Sequence, residues 1–176
     1  MNKNDLYKLD AIEIYKLLLT NKIKRFPAGF WQLPEAQQNA VKVTKFLIND
    51  ILHYNLNDVK NKLTRQMFFD NKLQGMLRNL NCDIFTIIKK IYNDIEIWEI
   101  KKIHVNPNYW KNEKNISKAI KWILKRKKDK SKITFDDFYN YGISTIISHK
   151  NIAKITRKVL NDLNIEYNRY NKCDKK

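Results

Sequence analysis

Trp31 and Trp110 mark the pattern that most limits what this chain can fold into, because the sequence around them repeats. Phe26-Pro-Ala-Gly-Phe-Trp31 precedes Ala40-Val-Lys-Val43, and Val105-Asn-Pro-Asn-Tyr-Trp110 precedes Ala119-Ile-Lys-Trp122; tryptophans and alanines alike are 79 residues apart. Farther on, Phe68-Phe-Asp-Asn-Lys-Leu-Gln-Gly-Met-Leu77 matches Phe138-Tyr-Asn-Tyr-Gly-Ile-Ser-Thr-Ile-Ile147 at an offset of 70, so the second copy is nine residues shorter in its middle. Ile84 to Tyr92 and Ala153 to Leu160 then carry helix-like apolar spacing, each followed by Asn-Asp. Self-similarity of this kind marks a repeated supersecondary unit. In each copy an aromatic-Trp turn leads into a long helix over which shorter helices close. A buried aromatic of this size is worth about 3–5 kcal/mol against Ala, enough to fix the angle at which that helix starts. The expected fold is all-α, a helical bundle built from two diverged, Trp-anchored helical repeats. Residues 1–25 supply an N-terminal helix, 26–104 the first repeat with a connector, 105–163 the second repeat and 164–176 a mobile basic tail.

Apolar spacing and capping residues place the elements. Leu6, Leu9, Ile12, Tyr15, Leu18 and Leu19 predict a helix over 5–21, and Pro34 suits the first turn of one that runs through His53. Asn57 can cap a short helix to about Gln66, Phe69 to Leu80 mark the next, and Asn81 or Asp83 can start one over Ile84 to Ile91. Asp94 to Ile103 alternates like a strand but has no partner strand, so it reads as an extended connector packing Ile95, Ile97 and Trp98 onto the bundle. In the second copy Asn112 or Asn115 can cap a helix through Lys128. Thr134-Phe-Asp-Asp137 has capping-box spacing, and Ser148 can start a last helix to Leu163.

Only 3 Gly and 3 Pro in 176 residues disfavour a turn-rich β fold. No apolar run reaches the roughly 18 residues of a membrane span. The N-terminus lacks the apolar core of a secretory signal, so a cytoplasmic, reducing location is expected, with Cys82 and Cys173 as free thiols. The net charge of +17 favours a polyanionic partner. However, 29 of the 35 cations are Lys, and Asn (22) and Ile (23) are abundant, which is the bias of an A/T-rich genome. The positions of the cations, not their number, must therefore carry any functional reading.

Catalytic constellations are absent from the sequence pattern. His53, His104 and His149 match no triad or metal spacing, and there is no phosphate-binding Gly-rich loop, Cys-x-x-Cys or Gly-x-Ser-x-Gly. Gly75 and Gly142 read as turns or close helix contacts, and Asp136-Asp137 as first-turn helix charge. The expectation is a non-enzymatic protein with no metal and no cofactor.

Two basic clusters remain. Ser117 to Lys132 holds eight cations against Asp129 alone, with Lys118, Lys121, Lys125 and Lys128 on one helix face and Arg126 beside them. Cations in a row can track a phosphate backbone and bind by releasing its counterions. The second cluster is Ser144, Thr145, His149, Lys150 and Asn151 with Lys154 and Arg157, polar and basic groups around a helix start that follows a short helix and the Gly142 turn. That order is helix-turn-helix-like, and such a second helix presents its first turn to base edges in the major groove. Gln74, Arg78, Asn79 and Asn81 are the less basic counterparts in the first copy.

These Trp turns, the Ala that follows each and the segments 73–77 and 143–147 resemble a tryptophan-anchored helical repeat of uncharacterised bacterial and phage proteins. In plan they are similar to the repeats that accompany homing endonucleases. The resemblance covers roughly 26–163 and implies a DNA-binding accessory module, although no nuclease domain stands beside it here and no functional residue carries over. The partner expected is nucleic acid, foremost duplex DNA, with structured RNA sharing the same charge requirement. The other reading is a protein-interaction module, a phage or plasmid adaptor or inhibitor that docks on an acidic partner surface.

Overall fold

Asp10, rather than Asp5, opens the first long helix. Its carboxylate accepts the Ile12 and Glu13 N–H groups at 2.8 and 2.9 Å, and the Glu13 carboxylate accepts the Asp10 N–H at 2.9 Å, a reciprocal cap that fixes the start of α1 (Ala11–Leu19). The structure is a computed structural model and describes residues 6, 8–80, 83–103 and 105–168. Asn81, Cys82, His104, Cys173 and the tail from 169 lie outside the described residues. Ten α-helices and one two-stranded sheet make the described chain mainly helical, and no helix in it is long and apolar enough to cross a membrane. The chain divides into two compact units, Met1–Ile103 and His104–Lys176.

In unit 1, Ala11, Ile14, Tyr15 and Leu18 form the buried stripe of α1. Gly29, at φ +78°, turns the chain into a 3-10 turn, Phe30–Gln32. There Phe26, Phe30 and Trp31 form an aromatic cluster with ring centroids 4.7–5.2 Å apart. Pro34 lies before rather than inside α2 (Ala36–Phe46), which continues as a π-helical turn, Leu47–Ile51. His53 does not extend the helix, because it sits at φ +53°. α1, the Trp31 turn and α6 all pack on α2. Asn55, two residues earlier than expected, caps α3 (Leu56–Lys62) in a box with Asp58.

The segment predicted as one helix over Phe69 to Leu80 is two. α4 (Arg65–Asp70) is capped by Thr64, and α5 (Gln74–Asn79) follows a reversal at Lys72, φ +63°. Gly75 therefore lies within α5 and not in a turn. Asp83 caps α6 (Ile84–Ile91). The connector does bury Ile95, Ile97 and Trp98, but through a 3-10 turn, Ile97–Glu99, and not as an extended run.

Unit 2 begins with a 3-10 turn, Pro107–Lys111, that carries the fully buried Trp110. Asn112 caps α7 (Glu113–Arg126), whose buried stripe is Ile116, Ala119, Ile120 and Ile123. The short strand β1 (Lys132–Thr134) leads into α8 (Phe135–Asn140). The expected Thr134–Asp137 box is present there, the Thr134 N–H donating at 2.7 Å. Gly142, at φ +73°, reverses the chain.

Two short elements follow that spacing alone did not resolve. α9 (Thr145–Ser148) is separated by the single residue His149 from α10 (Lys150–Asp162), so Ser148 ends one helix rather than starting the next. The buried Thr156 hydroxyl donates to the Ile146 carbonyl at 2.7 Å and ties α9 to α10. After α10 the chain forms β2 (Glu166–Asn168), paired in parallel with β1 so that Lys132 faces Glu166 and Thr134 faces Asn168. The tail reading thus fails for 164–168, where Ile165 is buried. Pairing with a distant strand, not local composition, fixes that segment.

Candidate nucleic-acid interface

α7 turns its core face toward Ile116, Ile120 and Ile123. At 3.6 residues per turn, the positions opposite that face recur at i, i+4, i+7 and i+11. Lys114, Lys118, Lys121 and Lys125 occupy them, and all four are exposed. They form a ridge about 16 Å long at 1.5 Å rise per residue. Between Lys114 and Lys128 the sequence has no carboxylate.

Lys128 does not belong to this face. α7 ends at Arg126, and Lys127 is already extended (φ −89°, ψ 151°), which carries Lys128 off the helix. The cause is tertiary: the Lys127 ammonium pairs with the Asp137 carboxylate at the start of α8. Arg126 is directed elsewhere too. Its guanidinium lies 3.8 Å from the Trp122 ring centroid and donates to the Trp122 carbonyl at 3.3 Å. Lys132 pairs with Asp129 at 3.4 Å. Asp129 in turn accepts the Ser131 hydroxyl and N–H, which with Lys132 pull its pKa down to about 2. Of the eight cations in the 117–132 run, the structure keeps Lys118, Lys121 and Lys125 on the ridge and adds Lys114, which the clustering criterion missed. The i, i+4, i+7, i+11 spacing read back from Lys125 would have found it.

The second cluster repeats the geometry on α10. Ile152, Thr156, Val159 and Leu160 are buried, and Lys150, Lys154, Arg157 and Asn161 follow the same spacing on the solvent side, all exposed. Asn151 and His149 are exposed at the helix start, while Ser144 and Thr145 are half-buried. His149 makes no side-chain cap. The first-turn N–H groups of this 13-residue helix are thus left without a capping side chain beside Lys150, an arrangement that suits an anion.

α7 and α10 pack on each other. Lys158 pairs with Glu113 at 2.8 Å, and that bond raises the lysine pKa. Lys114, Ser117, Lys118 and Lys121 border a groove of about 440 Å³ whose other wall is Val159, Asp162 and Leu163. Glu113 and Asp162 thus place two carboxylates beside the α7 ridge, and they offset part of its charge. Gln74, Arg78 and Asn79 are exposed on α5, where Asn79 is engaged with Gly75 and Gln32.

The Lys127–Asp137 contact makes a prediction of its own. Burial opposes ionisation of Asp137, but the Lys127 ammonium and the Thr134 N–H and hydroxyl outweigh it and hold the carboxyl below its ordinary pKa. A carboxyl depressed in the folded state stabilises above its unfolded value, about 3.9, and loses that contribution as pH falls through the folded one. The Asp137→Asn variant should therefore show a shallower loss of thermal midpoint between pH 5 and pH 3 than the parent chain. Parallel acid limbs would contradict this.

Among the described residues no group of three or more His, Cys, Asp or Glu side chains is placed to hold a metal ion. No curated protein and no solved structure matches the chain. Residues 11–97, within unit 1, match the model of a protein family of unknown function, DUF4046.

Proposed function

We propose that the chain is a non-enzymatic nucleic-acid-binding protein, foremost of duplex DNA, and that unit 2 makes the principal contact. The observation that carries this reading is the α7 ridge: four exposed lysines set opposite the core face, with no carboxylate among them in sequence. A solvated face needs polar residues but not cations, and here all four positions opposite the core are lysine. The sequence is also polarised, with 18 cations against 7 acids in 104–176 and 17 against 11 in 1–103. The cationic side of α10 and its uncapped first turn supply a second row, with Lys150, Asn151 and His149 as the groups available to phosphates and base edges.

The two-repeat reading is part of this proposal. It is supported by α4 and α8, which lie 70 positions apart, each capped by a Thr. Each is followed by a reversal with positive φ, at Lys72 and Gly142. In each the next N–H returns to the buried Phe, Leu73 to Phe68 at 2.7 Å and Ile143 to Phe138 at 2.8 Å. Both copies then add a short helix. They diverge where unit 1 inserts α3 and unit 2 inserts its strand pair.

Anisotropy titration of a labelled duplex across a salt series tests the function. About six phosphate contacts give a slope of log K against log salt near −5. Absence of binding at low salt, or affinity indifferent to salt, would end the proposal. One observation favours the alternative, docking on an acidic protein: Phe135 and Tyr139, one turn apart on α8, are 38% and 69% exposed.

A further inference from the structure

Unit 1 contains a cleft of about 440 Å³ between the 24–32 segment and the α4–α5 corner, within the size range of small-ligand sites. Its charge is one-sided. Lys24, Arg25 and Lys72 line it, and no carboxylate does. Lys72 is committed internally, since its ammonium donates to the Leu18 carbonyl at 2.9 Å and to the Asn21 side chain at 2.5 Å. Lys24 and Arg25 are exposed and make no hydrogen bond or ion pair with the described residues. Its apolar wall is the half-buried Phe69, with Phe30 and Trp31 buried behind the lining, and the amides of Gln32, Gln74 and Asn79 stand at the edge.

Gly75 supplies an independent observation. It lies inside α5 with no left-handed φ, and a Cβ built on it would meet nothing within 4 Å. A glycine inside a helix is less favourable than alanine, yet neither backbone conformation nor packing requires one here. What the missing side chain leaves is room, on the wall of a cleft that holds two unpartnered cations.

We propose that this cleft binds a nucleotide, with its phosphate against Lys24 and Arg25 and its base between the Phe69 ring and the bare α5 backbone at Gly75. The cations supply charge-assisted hydrogen bonds to phosphate oxygens. Phe69 gives a flat, polar-edged body an apolar contact, and the Gln74 amide gives it a hydrogen-bond partner. All of its lining residues belong to unit 1 and none to the α7 or α10 rows, so the assignment does not rest on their role.

Titration of the full chain with 5′-adenosine monophosphate, followed by calorimetry, tests this, with inorganic phosphate and adenosine as references. The nucleotide should saturate one site at least tenfold more tightly than either reference. The double variant Lys24→Gln/Arg25→Gln should lose at least tenfold in that affinity with an unchanged thermal midpoint. Gly75→Ala should raise the thermal midpoint and weaken the nucleotide. A Gly75→Ala chain that gains stability and binds as before, or binding unaffected by loss of both cations, would overturn the assignment. A parallel arm compares a single-stranded tetranucleotide with and without a 5′ phosphate. Preference for the phosphorylated strand over the free nucleotide assigns the site to strand ends, and the reverse assigns it to the free nucleotide. No binding in either arm at millimolar concentration refutes it.

Discussion

Replacement of Lys114, Lys118, Lys121 and Lys125 by glutamine is expected to lower duplex affinity about a thousandfold at 0.1 M salt and to flatten the salt dependence by between three and four units of slope. The magnitude follows from counterion release: each neutralised phosphate contributes about 0.9 to the slope, and four lost contacts lose that gain for each decade of salt below 1 M. The four side chains are exposed and point away from the buried stripe of α7, so the fold should survive with its thermal midpoint within a few degrees of the parent. The control is a second quadruple variant, Lys16, Lys22, Lys42 and Lys45 to glutamine, which removes equal charge from unit 1. Both variants reduce net charge from +17 by the same amount. If they weaken binding equally, the ridge is only a share of a diffuse positive field, and the localised reading is wrong.

Trp110→Ala should be the most destabilising single change in unit 2. Trp110 is 1% exposed and heads the largest fully buried side chains of the protein, and its turn packs on both α7 and α10. Loss of a buried aromatic of this size costs about 3–5 kcal/mol, a large share of the 5–15 kcal/mol that holds a typical domain folded. Far-UV circular dichroism on heating should show an added early transition in the variant that removes only part of the helical signal. Trp122→Ala, by contrast, removes a half-exposed ring that meets Tyr141 edge to face and lies under Arg126, and should cost appreciably less. Equal destabilisation by the two substitutions would mean that Trp110 anchors nothing beyond its own surface area.

What could be read from the sequence was local. Asp83 and Asn112, each one of two candidates in the sequence, and the Thr134–Asp137 box were visible as caps because a cap needs only a few neighbouring residues. At 55–57 two asparagines compete, and Asn55 is chosen because Asp58 stands three residues after it and completes the box. The errors share the opposite character. Lys128 leaves the α7 face because Lys127 is drawn to a carboxylate ten residues away. Ser148 closes a helix because Thr156 binds the carbonyl of Ile146 from the next one. The unit 1 cleft joins two segments more than thirty residues apart, and Gly75 gave no sign that it lies on the cleft wall.

The strand pair has a further consequence for how unit 2 comes together. Because Lys132–Thr134 pairs in register with Glu166–Asn168, α8, α9 and α10 all lie inside the loop that this pairing closes. Bringing such distant segments together costs chain entropy that only the finished helices can repay. On a ribosome, therefore, this half of the protein completes its fold only after Asn168 has emerged, and a chain stalled before that point presents its helices with β1 still unpaired.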